Sequence, residues 1–260
     1  MKITVLCEDT CAQKGLCAEH GLSLYIETDT NKILFDMGQS DLFARNAAAL
    51  GVDLSAVDVA VLSHGHYDHG GGLDAFLALN EKADVFVSEN AFGDYFSSPE
   101  KYIGLDKSLR GNPRVKLVGE YAKIADGVEL FACNEREKRT PVCAFGLTEC
   151  ENGVHTADRF LHEQYLLLGG ETLISGCSHK GILNIVKWLP AKRVIGGFHF
   201  VKLDPEADAG RAALDAAASA LNETQADFYT CHCTGVSQYE YLKKKMPRLT
   251  YLSVGTVLEL

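Results

Sequence analysis

Three histidines and one aspartate fall within six positions in the stretch Ser63-His64-Gly65-His66-Tyr67-Asp68-His69-Gly70-Gly71-Gly72. Imidazole nitrogen and carboxylate oxygen are good ligands for zinc, iron or manganese. Alternate residues of an extended chain point the same way, so His64 and His66 can share one ion. The turn that follows carries Asp68 and His69 to the far side, where they can hold a second. Gly70 to Gly72 let the backbone turn tightly and let a substrate approach. A single histidine is more often a core residue satisfied by hydrogen bonds, but four ligand residues at this spacing predict a metal site. The chemistry such a site supports is hydrolysis, because a divalent ion lowers the pKa of bound water toward ~7 and polarises a carbonyl or phosphoryl oxygen. The sequence holds no Gly-x-Ser-x-Gly and no phosphate loop ending in Gly-Lys-Ser/Thr, which leaves the metal as the source of reactivity.

The elements that must position this cluster can be read from periodicity and turn residues. Lys2–Leu6 reads as a strand, and Ser23–Thr28 and Lys32–Phe35 flank Asp29-Thr30-Asn31 as a hairpin. Ser40 predicts a cap for a helix over Asp41–Leu50, stopped by Gly51. Val57–Leu62, apolar and rich in valine, predicts a buried strand that delivers the histidine cluster, and Leu73–Asn80 then reads as helical. Val85–Val87, Val115–Val118 and Val128–Phe131 are further short strands. Between them Phe92–Pro113 carries aromatics and glycines without a clear period, and reads equally as a lid or substrate-binding insertion or as a long connection.

The second half repeats the style of the first. Tyr165–Leu168 and Glu171–Ser175 flank Gly169-Gly170, a hairpin signal. Helix Ile182–Leu189 and strand Arg193–Ile195 follow, then Pro205 behind Asp204 at the start of an alanine-rich helix over Glu206–Leu221. Strand Asp227–Thr230, helix Gln238–Lys245 and strand Thr250–Val254 come last. Hairpins first and strand–helix alternation second, in each half, predict an α/β fold: two mixed sheets packed face to face with helices outside, a four-layer αββα sandwich. No linker rich in Pro, Gly or Ser interrupts the chain, so residues 1–260 read as one domain.

Composition narrows the function classes. The 260 residues are 47% hydrophobic and 23% charged, a balance that excludes disorder. No apolar run approaches the ~20 residues that cross a bilayer, and Met1–Leu6 reads as a strand rather than a signal peptide. The nine cysteines are an odd number with no Cys-x-x-Cys pair, which predicts reduced thiols and a cytoplasmic setting; the spacing of Cys7, Cys11 and Cys17 does not fit the common zinc knuckles. A formal net charge of −10 disfavours nucleic acid, whose phosphates need a basic surface, and Lys243-Lys244-Lys245 reads as a solvated helix face. The expected partner is a small molecule, with neither nucleic acid nor membrane, and nothing in the sequence specifies an oligomeric state.

At the cluster the sequence resembles the metallo-β-lactamase superfamily, whose His-x-His-x-Asp-His signature it matches in full at His64, His66, Asp68 and His69. Ile33-Leu34-Phe35-Asp36-Met37-Gly38 resembles the family's early strand, ending in an aspartate that supports the metal loop, and Tyr229-Thr230-Cys231-His232-Cys233-Thr234-Gly235 its late metal histidine. Within the superfamily, Glu19-His20-Gly21-Leu22-Ser23, Gly176-Cys177-Ser178-His179-Lys180-Gly181-Ile182, Gly196-Gly197-Phe198-His199 and His232-Cys233-Thr234-Gly235 resemble the branch of 7,8-dihydropterin-6-methyl-4-(β-D-ribofuranosyl)aminobenzene-5′-phosphate synthase-like proteins.

The resemblance implies one or two divalent ions, zinc first and iron or manganese next. It implies His64 and His66 as ligands of the first ion, and Asp68, His69 and His232 as ligands of the second. The sequence departs from the pattern where an aspartate bridging both ions is expected: Cys177 stands there, either as a thiolate ligand or as a buried thiol. His179 is assigned as the remaining ligand of the first ion, with His162 and His155 as rivals. Asp36 is expected to orient a metal histidine. Asp68 is expected to anchor a metal and orient the attacking group, and His199, Lys180 and His20 to meet substrate, His199 also as a proton donor. These expectations amount to a metallo-hydrolase of a small, anionic, phosphate-containing or pterin-like substrate. The rivals are a pterin-linked transferase and a non-catalytic metal- or ligand-binding module.

Overall fold

The computed structural model describes residues 1–98 and 101–260; Pro99 and Glu100, inside the expected insertion, lie outside the described residues. The chain divides into two compact units. One comprises Met1–Gly119, Gly146–Gln164 and Ser253–Leu260, the other Glu120–Phe145 and Tyr165–Leu252.

In the first unit a seven-stranded sheet forms among the described residues. Strands Val257–Glu259, Lys2–Cys7, Ser23–Glu27 and Lys32–Phe35 pair antiparallel in that order; Val59–Val61, Asp84–Ser88 and Val115–Val118 then add in parallel. Helices Leu42–Ala49 and Leu73–Leu79 pack on these parallel strands, with Phe43, Phe76, Leu62 and Val85 in one apolar cluster. Asp41, not Ser40, is the N-cap of the first helix; the Ser40 hydroxyl accepts from Leu42 N at 3.1 Å, one residue further out.

The second unit repeats this plan. Tyr121–Ala125, Val128–Phe131, Tyr165–Leu168 and Thr172–Ile174 pair antiparallel in order; Arg193–Ile195, Asp227–Thr230 and Leu249–Tyr251 add in parallel. Helices Ile182–Trp188, Asp208–Glu223 and Val236–Lys243 pack through Ile185, Leu214, Leu221 and Leu242 into a second apolar cluster. The hairpin-then-alternation pattern thus corresponds to a mixed α/β sheet in each unit.

Several elements differ from expectation. Asp208–Glu223 begins later than Pro205, because the Asp204 carboxylate accepts from Glu206 N and closes a turn there instead. The segment without a clear period contains strands Tyr95–Ser98 and Lys101–Tyr102, which join Thr148–Glu151 and Val154–Ala157 in a small sheet. Among the described residues, no helix is long and apolar enough to cross a membrane.

Candidate functional site

In open α/β sheets, ligands bind at the carboxyl ends of parallel strands, and the candidate residues emerge there. Asp36 follows Lys32–Phe35 directly, and His64 comes three residues after Val61, the last of Val59–Val61. In the second unit Cys177 follows Thr172–Ile174, His199 follows Arg193–Ile195 and His232 follows Asp227–Thr230. The backbone bears a mark of this placement. Asp36 (φ 59°), Ser178 (φ 59°), His199 (φ 55°) and His232 (φ 49°) all sit in the left-handed region that non-glycine residues rarely occupy. Such strain persists where surrounding structure over-determines it, and it concentrates at functional sites.

The first unit brings together His64, His66, Asp68, His69, Asp36 and His162, all buried. The Asp36 carboxylate organises them. It accepts from Ser63 N and Ser63 Oγ, each at 2.7 Å, and lies 2.7 Å from His69 Nδ1. Ser63 Oγ is also 2.8 Å from His64 Nδ1. Oxygens on Nδ1 of both rings restrain their orientation, as outer partners of metal-binding histidines do. The rings of His66 and His69 lie with that of His64, at centroid separations of 4.6 and 4.2 Å. His69 Nε2 is 3.8 Å from Asp68 Oδ2. Three imidazoles and a carboxylate, with His64 and His69 held by hydrogen bonds at Nδ1, are a donor set suited to a divalent ion.

His162 supports the loop by its hydrogen bonds. Its Nδ1 accepts from Gly65 N at 3.0 Å, and its Nε2 lies 3.2 Å from Asp158 Oδ2. His66, Asp158 and His162 also form a compact group of metal-competent atoms within 4.8 Å of one another. Burial works against ionisation of Asp158, but hydrogen bonds from His162 and His66 outweigh it and hold the carboxyl well below the usual range. Tyr95, whose ring is 4.0 Å from His162, is pushed up by burial and then by the Asp158 and Glu149 charges. It therefore stays a neutral donor, to Asn90 O at 2.5 Å.

His20 is half exposed and stands between two carboxylates, with Nδ1 2.9 Å from Asp9 Oδ2 and Nε2 3.4 Å from Asp68 Oδ2. Gly21 permits this approach. A Cβ there would lie 2.2 Å from Asp68 O, at a φ of +145°. Gly21→Ala is expected to cost about 2–4 kcal/mol and to lower metal content, because Asp68 must move; chemical denaturation and elemental analysis together check this.

In the second unit His232 opens a single 3₁₀ turn, His232–Thr234. Thr234 Oγ1 accepts from Phe198 N at 2.8 Å, and Thr230 Oγ1 donates to Gly196 O at 3.0 Å, so the loops bearing His199 and His232 are laced together. Gly196 is needed where it stands: a Cβ there would fall 1.8 Å from Ser175 O. His179 and His199 meet edge to face at 4.3 Å. Donor atoms of Cys177, His232 and Cys233 lie within 4.8 Å of one another, a Cys/His/Cys set. Cys177 is thus a buried thiol and also a member of a metal-competent group. His155 stands apart, on the exposed strand Val154–Ala157.

Lys180 corrects the expectation that it meets substrate. It is fully buried, and its ammonium donates to Ala132 O and Asn134 Oδ1, each at 2.7 Å. It ties the loop after Val128–Phe131 to the second unit's core. Lys180→Met is expected to lower unfolding free energy by about 3 kcal/mol and to leave KM for an anionic substrate unchanged, checked by urea titration beside steady-state kinetics.

Residue reading missed Asp9 and Asp158. Asp158 precedes His162 by four positions, a spacing that could have drawn notice; Asp9 follows the first strand within a pair of acidic residues, a weaker signal.

Residues 18–118 match the family model for the metallo-β-lactamase superfamily, and the chain belongs to that superfamily. Among its relatives, an uncharacterised protein of Methanocaldococcus jannaschii is 33% identical over 205 residues, covering 74% of this chain and 77% of that one. The 7,8-dihydropterin-6-methyl-4-(β-D-ribofuranosyl)-aminobenzene-5′-phosphate synthase of the same organism is 30% identical over 235 residues, covering 79% and 80%. The crystal structure of a metal-dependent hydrolase of the β-lactamase superfamily matches with a TM-score of 0.85 at 32% identity, covering 100% of this chain and 99% of that one. A metallo-β-lactamase fold protein of Bacillus subtilis, at 14% identity, TM-score 0.59 and 99% coverage of both chains, shares the fold.

Proposed function

We propose that the protein is a metal-dependent hydrolase of a small, anionic substrate, phosphate-containing or pterin-like, with His64, His66, Asp68, His69, His179 and His232 as its metal ligands. The observation that carries this reading is the buried His64–His69 loop with Asp36 and Ser63 holding its imidazoles at Nδ1. A bound divalent ion, zinc first among the candidates, supplies Lewis acidity and activates water at neutral pH. The chain's own residues supply position and proton handling. Asp36 and Ser63 orient His69 and His64, while His162 with Asp158 supports the Gly65 backbone. With Asp9 on one nitrogen and Asp68 on the other, His20 can carry a proton between Asp68 and solvent. His199, partly exposed beside His179, would donate a proton to the leaving group in this reading. In the overall reaction the oxygen of water joins the electrophilic carbon or phosphorus, the bond to the leaving group breaks, and that group departs with a proton.

The synthase relative supports a second reading, transfer of a pterinylmethyl group to an aminobenzene acceptor with release of diphosphate. Incubating the metal-loaded protein with a pterin diphosphate, with and without a ribofuranosylaminobenzene phosphate, separates the two. Product release that needs only water favours hydrolysis, and diphosphate release that requires the amine favours transfer.

A further inference from the structure

The second unit contains a cavity of about 200 Å³ with His179 and His199 in its wall. None of its lining residues is Lys, Arg, Asp or Glu. Val142, Phe145, Ile182, Phe198, Leu203 and Ala217 make most of it apolar. Phe145 presents its ring edge to face against His199 at 5.5 Å. The wall is built in advance of any ligand. Asn184, buried on helix Ile182–Trp188, accepts from Thr140 N and donates to Thr140 O, both at 2.8 Å. Lys180 pins Ala132 and Asn134 upstream, and Trp188 Nε1 donates to Glu137 O at 3.0 Å. A loop tied at three points loses little entropy when the cavity fills.

From this we infer that the substrate carries an uncharged, largely apolar ring, and that this cavity seats it beside His179 and His199. The inference rests on the hydrolase reading for what happens next, but not for the binding. An apolar cavity of about 150 Å³ already accepts benzene, so this one has room for a single substituted ring. A charged group placed here would lose its hydration without a counter-charge in the wall. The anionic part of a substrate therefore lies outside this cavity.

Cys143 lines the cavity and is exposed, so its alkylation reports occupancy. The experiment treats the full metal-loaded chain with iodoacetamide, with and without benzyl alcohol, and follows each cysteine by peptide mass spectrometry. Cys17, exposed in the other unit, is the internal control. Alkylation at Cys143 is expected to slow by roughly tenfold near saturation, with Cys17 unchanged. Ala213, exposed on helix Asp208–Glu223 and in the cavity wall, permits a filling variant that spares the core, and Ala213→Phe should remove the protection. In parallel, methyl phenylacetate should be hydrolysed faster than methyl acetate, and Ala213→Phe should erase that preference. Equal slowing at both cysteines, or protection that survives Ala213→Phe, overturns the inference. Selective protection of Cys143 that Ala213→Phe removes supports the cavity whether or not either neutral ester is turned over, so failure of the cavity and failure of the hydrolase reading stay distinguishable.

Discussion

Asp36→Ala is expected to lower the unfolding free energy by about 4 kcal/mol and to strip the protein of most of its bound metal. The carboxylate is fully buried and meets Ser63 N, Ser63 Oγ and His69 Nδ1. Removing one partner of a buried, charge-assisted set leaves the others desolvated and unmatched, at about 3–5 kcal/mol. The backbone adds to the loss, because at a φ of 59° alanine is less tolerated than aspartate or asparagine. For a domain stable by about 5–15 kcal/mol the variant still folds, and its melting temperature falls by roughly 8–16 °C. Asp36→Asn separates the two effects. It keeps the left-handed backbone and much of the hydrogen bonding, but an amide N–H facing His69 Nδ1 drives that ring to carry its proton on Nε2. Metal affinity should then drop by about 10- to 100-fold with a smaller change in stability. Metal titration of Asp36→Asn that matched the unaltered protein would refute the orienting role.

Metal removal has the other large effect. Elemental analysis is expected to find at least one divalent ion per chain. Dialysis against a chelator should abolish hydrolysis, and adding the ion back should restore it. Stability should fall as well. An ion present at about a thousand times its dissociation constant contributes about 4 kcal/mol to the folded state. The stripped protein must also hold the buried carboxylates of Asp36, Asp68 and Asp158 without that positive charge. Differential scanning calorimetry before and after chelation measures the difference. Identical melting curves, together with a metal-free preparation, would end the proposal.

Much of this was legible from residue order. The His64–His69 cluster is contiguous, and four ligands on one strand exit state their chemistry without further help. Val57–Leu62 read as a buried strand because a parallel strand covered on both faces is continuously apolar, although the ladder itself spans only Val59–Val61. Asp36 was found through the resemblance of Ile33-Leu34-Phe35-Asp36-Met37-Gly38 to the superfamily's early strand, which ends in an aspartate. Asp9 and Asp158 were not, because their partners His20 and His66 arrive from other segments; the four-residue spacing from Asp158 to His162 was the one local sign. Lys180 misled for a related reason. Lysine is seldom buried, and the carbonyl of Ala132 and the amide oxygen of Asn134 help to make burial tolerable here.

Ligand chemistry and much of the succession of strands and helices were therefore written in the sequence, because both depend on residue type and short-range period. Orientation was not. The tautomer-setting bonds to His64 and His69, the left-handed turns at Ser178, His199 and His232, and the uncharged cavity walled by Val142, Phe145 and Ala217 are tertiary decisions. A hydrogen bond, a strained dihedral or a cavity exists only when residues distant in the chain are packed together, and its energy depends on how completely that packing excludes water.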